Sequence, residues 1–262
     1  MQSFLEQISV LILTYNEAPN IGRTLEALQG MDEIIVLDSN STDETAVIVA
    51  QHSNARIVQH PFETHALQWN YGLQRCGIER PWVLALDADY VLPEGLLAEM
   101  KALRPTPEIV GYRVSFSYCV TGKRLSASLY PPGIVLYRRD SAKYVQIGHT
   151  QRLEVEGRVC NLRGRIDHDD RKPLSVWISA QQRYSTLEVN HLLNSPLNSL
   201  RHSDRIRLAA WPAPFLVFFY TLLAKRCIFD GRPGYYYVLQ RTFVEILIAL
   251  KLIERRLEKL RL

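Results

Sequence analysis

Residues 83–92 of the chain read VLALDADYVL, an apolar run that ends in two carboxylates, Asp87 and Asp89. A short apolar run bounded by polar residues predicts a strand that is covered on both faces of a parallel sheet. The chain turns where such a strand ends, so one acid can reach a divalent cation while the other contacts a hydroxyl group. The stretch therefore predicts both a buried strand and a polar site at its end.

Three strands with the same character precede this one, and each is followed by a turn and a helical pattern. They are residues 8–16 (ISVLILTYN), 34–37 (IIVL) and 55–62 (ARIVQHPF). This alternation predicts βαβ units, and hence an α/β fold whose mostly parallel sheet is flanked by helices. Ligands bind beyond the carboxyl ends of the strands in such sheets. One edge of the sheet is therefore expected to carry three polar clusters, at residues 14–16, 38–40 and 87–89.

The composition is that of an ordered globular protein. Of 262 residues, 47% are apolar and 22% are charged, and the net charge of +4 is too small to identify a partner. The four cysteines form no CxxC pair, which disfavours a zinc cluster or a disulfide framework and favours a reducing compartment. The N-terminus lacks the basic start of a signal peptide. We therefore expect a cytoplasmic location, with no nucleic acid as partner.

The second half of the chain has a different pattern. From about residue 110 the sequence is β-rich, and a helix is predicted from about Pro173 to Leu193. This half is expected to complete the site rather than to form an independent domain.

Four stretches at the N-terminal end resemble a known family. In order, they are LILTYNEAPNIGRTLEAL (11–28), IIVLDSNSTDETAVIVAQH (34–52), QWNYGL (68–73) and WVLALDADYVLPEGL (82–96). Together they resemble the inverting family 2 glycosyltransferases, which have the GT-A fold. Two later stretches, GHTQRLEVEGRV (148–159) and HDDRKPLSVWISAQQRYSTLE (168–188), are similar to the subgroup that includes the lipopolysaccharide inner-core β-1,4-glucosyltransferase acting on heptose.

The resemblance implies a role for each polar cluster. Asp89 would hold Mg²⁺ or Mn²⁺, and Asp87 would face the ribose or the donor sugar. Asp38 would accept a hydrogen bond from uracil, and the base and ribose pocket would be lined by Thr14, Tyr15 and Glu17. Three simpler roles remain open: Tyr15 as a packing aromatic, Glu17 as an acid at a helix start, and Asp38 as the first residue of an Asx turn.

The general base has several candidates. Many relatives carry a His-Glu pair where this chain has His149 and Thr150, and His149 remains a candidate because imidazole titrates near neutral pH. Asp169 and Asp170 are alternatives, and His168 would be a further metal ligand, since the fold often places histidine there. The same run could instead be a polar loop with internal ion pairs.

The C-terminal tail is apolar and basic. The run Ala209–Ala224 is shorter than the roughly 20 residues of a membrane span, and Pro212 and Pro214 interrupt its start. The last residues read as a basic amphipathic helix of the interfacial type. Two alternatives follow: peripheral attachment to the inner leaflet of the cytoplasmic membrane, or a helical hairpin that packs on the core or on a second copy, giving a homo-oligomer.

The resemblance, together with these features, implies a metal-dependent inverting hexosyltransferase that moves a sugar, glucose for example, from a UDP-sugar donor to a lipid-linked or lipopolysaccharide-core glycolipid acceptor. The alternative is a non-catalytic nucleotide-sugar-binding or scaffold protein. A nucleotidyltransferase is disfavoured, because the first strand lacks a glycine-rich phosphate loop. The expected division is a nucleotide-sugar-binding half at residues 1–110, an acceptor and catalytic half at 111–208, and a helical amphipathic tail at 209–262.

Overall fold

A computed structural model describes residues 3–147 and 150–259 of the chain. It divides into two compact units. The N-terminal unit comprises Met1–Gly122 and Leu129–Arg171, and the C-terminal unit comprises Lys123–Ser128 and Lys172–Leu262. The functional division expected at residues 110 and 208 stays a prediction.

The chain alternates strands and helices in its first hundred residues. The strands are β1 (Ile8–Thr14), β2 (Ile34–Asp38), β3 (Ala55–Gln59), β4 (Trp82–Asp87), β5 (Tyr90–Val91), β6 (Ile109–Val120), β7 (Lys123–Arg124), β8 (Gly133–Arg138), β9 (Ala142–Ile147), β10 (Thr150–Val155) and β11 (Arg158–His168). The α-helices are α1 (Ile21–Ala27), α2 (Thr45–Ala50), α3 (His65–Arg75), α4 (Glu94–Ala102), α5 (Leu174–Asn194), α6 (His202–Leu208), α7 (Pro212–Phe219) and α8 (Arg232–Lys259). Short 3₁₀ turns span Phe4–Gln7, Arg139–Ser141 and Cys227–Asp230, and a π-helical segment spans Tyr220–Ala224.

The first four strands form the parallel half of one sheet. Their order is β3, β2, β1, β4, and each neighbouring pair is parallel. The register places Thr14 opposite Asp38 and Leu13 opposite Asp87. The predicted α/β fold is therefore confirmed, and the polar ends of β1, β2 and β4 lie at the same edge of the sheet.

The other half of the sheet is mixed. Strand β8 is antiparallel to both β4 and β6, whereas β11 is parallel to β6 and antiparallel to β5. The β11 and β5 pairing places His168 opposite Tyr90, one residue beyond Asp89. Strands β9 and β10 form a separate antiparallel pair. The mixed half thus returns the chain to the edge where β4 ends.

Apolar residues cover both faces of the sheet, which is why the strand sequences are apolar throughout. In β1, Val10 and Ile12 belong to the core on one face, and Leu11 belongs to the core on the other face with Trp69 of α3. Helix α3 lies close to β1 at Gly72, where an added Cβ would be 2.6 Å from a methyl group of Leu11. Glycine at this position therefore permits the close packing of helix and sheet.

The C-terminal unit is helical. Its core contains Val189 and Leu192 of α5 and Val244, Ile248 and Leu252 of α8. The helix expected from about Pro173 to Leu193 corresponds to α5. Among the residues that the structure describes, no helix combines the length and the hydropathy that a membrane span requires.

Candidate active site

Thr14 and Asp38 meet at the edge where β1 and β2 end. The Thr14 hydroxyl donates to Asp38 Oδ1 at 2.8 Å, and Asp38 Oδ2 accepts from the backbone N–H of Ser41 at 2.8 Å. Asp38 is fully buried. The carboxylate therefore shapes the turn after β2, as in the Asx-turn alternative. It also lies at the edge of the sheet where the nucleotide pocket is predicted.

Two loops at this edge are joined by side-chain hydrogen bonds. Asn16 accepts from the backbone N–H of Thr42 at 2.8 Å, and its own N–H donates to the Ser41 hydroxyl at 2.8 Å. The Glu17 N–H donates to the Thr45 hydroxyl at 2.8 Å. Tyr15 lies between these anchored residues with 55% of its surface exposed. Its ring is thus held on a fixed loop but is open to solvent, so it is not a core aromatic.

Asp89 and His168 meet where β4 and β11 end. The distance from Asp89 Oδ2 to His168 Nε2 is 3.0 Å. Three tyrosine rings surround the imidazole, with centroids 4.8 to 5.4 Å from it: Tyr90, Tyr118 and Tyr130. Burial lowers the pKa of His168, but the charge and hydrogen bond of Asp89, with the charge of Asp87, raise it by more, so the net pKa is raised.

The Asp89 carboxylate is the kind of ligand that a hard divalent cation prefers, whereas the His168 imidazole is a softer ligand. Mg²⁺ prefers an octahedral shell at about 2.0 to 2.1 Å and usually takes only one or two protein ligands, with phosphate and water completing the shell. Two ligand atoms in neighbouring positions of such a shell are about 3 Å apart, as Asp89 Oδ2 and His168 Nε2 are. Within the described ranges there is no cluster of three or more metal-ligating side chains. Asp89 and His168 are therefore the residues that would hold such an ion.

Asp169 is held by positively charged groups. Its Oδ2 accepts from Arg23 Nη1 at 2.6 Å and from Arg171 Nε at 3.0 Å, and its Oδ1 accepts from the backbone N–H of Gly122 at 3.0 Å. The Asp169 N–H donates to the Asp89 carbonyl at 3.0 Å. Asp169 is 3% exposed. This carboxylate thus connects several segments at the end of β11.

Asp170 is held differently, by the side chain of Asn20. Asn20 Nδ2 donates to Asp170 Oδ1 and to Glu17 Oε2, both at 2.9 Å. Asn20 Oδ1 accepts from the backbone N–H of Arg171 and from Arg23 Nη2, also at 2.9 Å. Asn20 is 1% exposed. One buried amide therefore joins the loop before α1 to the loop after β11.

The sequence did not indicate this role of Asn20 or the contact of Arg23 with Asp169. Asn20 precedes α1 and reads as a helix start signal, but its side chain makes no capping hydrogen bond to that helix. The residue type was the one signal in the sequence, because the side-chain amide of asparagine can donate to a carboxylate and accept from a backbone N–H at the same time.

The structure thus forms three pairings from the predicted residues: Thr14 with Asp38, Asp89 with His168, and Glu17 with Asp170 through Asn20. Asp87 lies at the end of β4, beside the second pairing. His149 lies outside the described residues.

The match to a family model defines the class of protein. Residues 9–151, more than half of the chain, match the model described as Glycosyl transferase family 2. The molecule is a glycosyltransferase with a sheet of the GT-A type. The chain belongs to glycosyltransferase family 2, which confirms the predicted family.

Individual relatives agree with this assignment. The lipopolysaccharide core biosynthesis glycosyltransferase LpsC of Rhizobium meliloti (strain 1021) is 30% identical, with 72% of each chain covered. An uncharacterized glycosyltransferase of Rickettsia felis is 35% identical over 37% of this chain and 34% of its own length. Among solved structures, S. aureus TarS 1-349 in complex with UDP-GlcNAc has a TM-score of 0.47 and 14% identity, with 94% of this chain and 91% of that chain covered.

Proposed function

We propose that the chain transfers a hexose from a UDP-sugar to a hydroxyl group of a lipid-linked or lipopolysaccharide-core acceptor, with inversion at the anomeric carbon. The observation that carries this proposal is the Asp89 and His168 pair, 3.0 Å apart where β4 and β11 end. Residues 1–110 would bind the donor, residues 111–208 would complete the catalytic and acceptor side, and residues 209–262 would form the tail.

The donor would bind at the ends of β1 and β2. The exposed ring of Tyr15 offers a flat surface for the uracil base. Asp38 is fully buried, so the predicted hydrogen bond from a uracil N–H to its carboxylate requires the Ser41 turn to move aside. Thr14 holds Asp38 in place through its 2.8 Å hydrogen bond. Glu17, fixed by Asn20, would face the ribose. A pocket whose polar groups are already fixed binds a ligand with a lower entropic cost.

Asp89 and His168 would hold Mg²⁺ or Mn²⁺, which when bound neutralises negative charge on the diphosphate. Burial raises the pKa of Tyr90, and the charge of Asp87 raises it further. Asp87 would accept a hydrogen bond from a hydroxyl of the ribose or the donor sugar. The tyrosine rings around His168 exclude water from one side of the imidazole. These residues thereby orient the donor and limit access of water to this side of the site.

Asp170 is the favoured base among the described acids. Asp169 accepts from two guanidinium groups and a backbone N–H, which stabilise its charged form and make it a poorer proton acceptor, whereas Asn20 donates one hydrogen bond to Asp170 Oδ1. In a single displacement, the acceptor oxygen bonds to the anomeric carbon as the bond to the diphosphate breaks, and the hydroxyl proton passes to the base. Such a base contributes about 10² to 10⁴ in rate. His149 remains the alternative base.

The acceptor class is inferred from the relative of Rhizobium meliloti, which is named for lipopolysaccharide core biosynthesis and is 30% identical. A glycolipid acceptor would place the protein at the inner leaflet of the cytoplasmic membrane as a peripheral protein. Exposed apolar side chains in the C-terminal unit, such as Trp211, Phe219 and Phe229, support this placement. A homo-oligomer formed through the tail would use the same kind of surface.

A screen of nucleotide sugars tests the proposal. Each sugar is tested with Mg²⁺ or Mn²⁺ for thermal stabilisation of the protein, which reports binding by mass action. Release of the nucleoside diphosphate is then measured with a lipopolysaccharide-core glycolipid present as the acceptor. We expect one UDP-sugar to stabilise the parent and to be turned over. The Asp170→Asn variant should be stabilised equally and turned over slowly. Stabilisation of the parent without any turnover would indicate a non-catalytic binding protein instead.

A further inference from the structure

In the C-terminal unit, the segment between the start of α7 and the start of α8 exposes several large apolar side chains. We call these residues the insertion patch: Trp211, Phe215, Phe219, Leu223 and Phe229. Their exposed fractions are 72%, 63%, 56%, 55% and 80%. The spacing of four residues from Trp211 to Phe215 and Phe219 places these rings on one face of α7. Large apolar residues that are exposed together mark an interaction surface.

The turn that carries Phe229 is fixed by hydrogen bonds and by close packing. The Asp230 carboxylate, 6% exposed, accepts from the backbone N–H of Ser126 at 3.0 Å and from the Ser126 hydroxyl. Gly234 packs so closely on this turn that an added Cβ would meet the Cys227 carbonyl oxygen at 2.0 Å. The exposure of Phe229 is therefore a property of a tightly built turn and not of a loose loop.

The charges in this region have one sign at the surface. Residues 209–236 contain four charged residues, Lys225, Arg226, Asp230 and Arg232, and the one acid is buried. Lys225 also lies over the ring of Tyr220, with Nζ 5.6 Å from the ring centroid. A segment with exposed aromatic and aliphatic side chains, basic residues and no exposed acid of its own is complementary to anionic phospholipid.

Helix α8, which the sequence indicated as the interfacial helix, has a different environment. Its residues Val244, Ile248 and Leu252 are buried in the core of the C-terminal unit. Lys251 of α8 donates to the Gln182 carbonyl of α5 at 2.6 Å. Exposed leucines of α8 lie among charges of both signs near its C-terminal end. The charge pattern therefore favours the insertion patch over α8 as the lipid-binding element.

We propose that the insertion patch docks on an anionic phospholipid surface. The aromatic rings of α7 and Phe229 would enter the headgroup region, and Lys225, Arg226 and Arg232 would contact lipid phosphates. This inference rests on the proposed function, because docking on a membrane would bring the active site to a glycolipid acceptor. It assigns membrane contact to one short segment of the chain and to one class of lipid.

Co-sedimentation with vesicles tests the assignment. The full chain is mixed with vesicles of phosphatidylcholine alone or of phosphatidylcholine with phosphatidylglycerol. We expect the parent to sediment with the anionic vesicles at low salt and less at high salt.

The double variant F219S/F229S should partition at least about tenfold more weakly. The variant R226Q/R232Q should also lose about tenfold or more, on anionic vesicles only. The control L250S/L257S, at exposed positions of α8, should bind like the parent.

Three outcomes would overturn the inference: the parent stays in the supernatant with anionic vesicles, F219S/F229S sediments like the parent, or light scattering shows that the parent is a dimer and F219S/F229S a monomer. The third outcome would assign the patch to a second copy of the chain. Thermal stabilisation by a UDP-sugar in vesicle-free buffer separates this test from the proposed function. A protein that binds donor but no vesicle refutes only the insertion patch, whereas one that binds vesicles but no donor refutes only the transferase proposal.

Discussion

Asn20 Nδ2 donates a hydrogen bond to Asp170 Oδ1 at 2.9 Å, between residues that are 150 positions apart in the chain. The same amide donates to Glu17 and accepts from the backbone N–H of Arg171. A buried asparagine with donors and acceptors all paired has one orientation, because rotation would leave polar atoms without partners. The position of the favoured base is thus coupled to the loop that is proposed to bind the donor.

Replacing Asn20 with alanine should impair both turnover and stability. The loss of four hydrogen bonds leaves Asp170 and the Arg171 N–H without their buried partner, which costs about 1 to 3 kcal/mol in the free energy of unfolding. A misplaced base should lower kcat on the order of 10²-fold, with a smaller change in the KM for donor. Steady-state kinetics and urea unfolding measure the two effects.

Asn54 provides a matched control for Asn20. Its Nδ2 donates to the Met31 carbonyl at 2.8 Å, away from the sheet edge that carries the acids. The Asn54→Ala variant should lose stability and keep the parent kcat. A kcat for Asn20→Ala that equals that of Asn54→Ala, at the same loss of stability, would remove Asn20 from the positioning of Asp170.

The adjacent acids Asp169 and Asp170 should respond differently to neutralisation. Asp170→Asn should lower kcat by about 10² to 10⁴ without weakening donor binding, because the variant cannot accept the hydroxyl proton. Asp169→Asn should instead reduce the free energy of unfolding by up to about 3 kcal/mol, since Arg23 and Arg171 lose their shared counter-charge. Single-turnover kinetics and chemical unfolding of both variants test this contrast. Parent turnover in Asp170→Asn would leave His149 as the base.

An ion pair between a buried acid and a partly exposed arginine should stabilise the C-terminal unit. Glu245 is 1% exposed and accepts from Arg207 Nε at 3.0 Å and Nη2 at 2.6 Å. Glu245→Gln should cost about 1 to 3 kcal/mol in the free energy of unfolding, because Arg207 loses a charged partner and keeps only its contacts with other acids such as Glu188. The control is the exposed Glu258, whose Oε2 is 3.7 Å from Arg255 Nη1. Glu258→Gln should change the free energy of unfolding by less than about 0.5 kcal/mol. Equal losses in the two variants would contradict the assignment.

Burial of His65 at the start of α3 should make stability depend on pH. Burial lowers the pKa of His65 below its ordinary value, so the folded state favours the neutral ring. The unfolded chain binds a proton as the pH falls through about 6.5, whereas the folded chain does so only at lower pH. Stability contributed by the neutral ring is therefore complete above about pH 6.5 and is lost on acidification below it.

Urea unfolding of the parent and of His65→Gln at several pH values isolates this effect, because the other histidines are common to both proteins. The parent should lose more stability than the variant between neutral pH and pH values below about 6. Parallel losses in the two proteins would show that His65 titrates alike when folded and unfolded.

The parallel half of the fold could be predicted because its signals are local. An apolar run such as Ile8–Thr14, followed by a polar turn and a helical pattern, identifies a buried strand without knowledge of its neighbours. The positions of Asp38 and Asp89 follow from the rule that parallel strands end at one edge. The mixed half was less predictable, since β11 pairs in parallel with β6, which lies far from it in sequence.

The side-chain contacts of the site depend on pairings that no local pattern encodes. Asp169 and Asp170 are adjacent in sequence and have the same chemistry, but Arg23 contacts one and Asn20 contacts the other. Helix α8 has apolar residues on more than one face, so its periodicity could not show which face packs on α5. The insertion patch became visible only when buried and exposed apolar residues could be distinguished.

Calorimetric titration with UDP-sugars, with and without Mn²⁺, shows whether an ion at Asp89 takes part in donor binding. We expect one UDP-sugar to bind the parent more tightly with Mn²⁺ than without it. In Asp89→Asn this gain in affinity should be at least about tenfold smaller. The exposed control Asp32→Asn should bind like the parent. The proposed ion site would be wrong if the parent bound no UDP-sugar with Mn²⁺ present. It would also be wrong if Mn²⁺ raised the UDP-sugar affinity of Asp89→Asn as much as that of the parent.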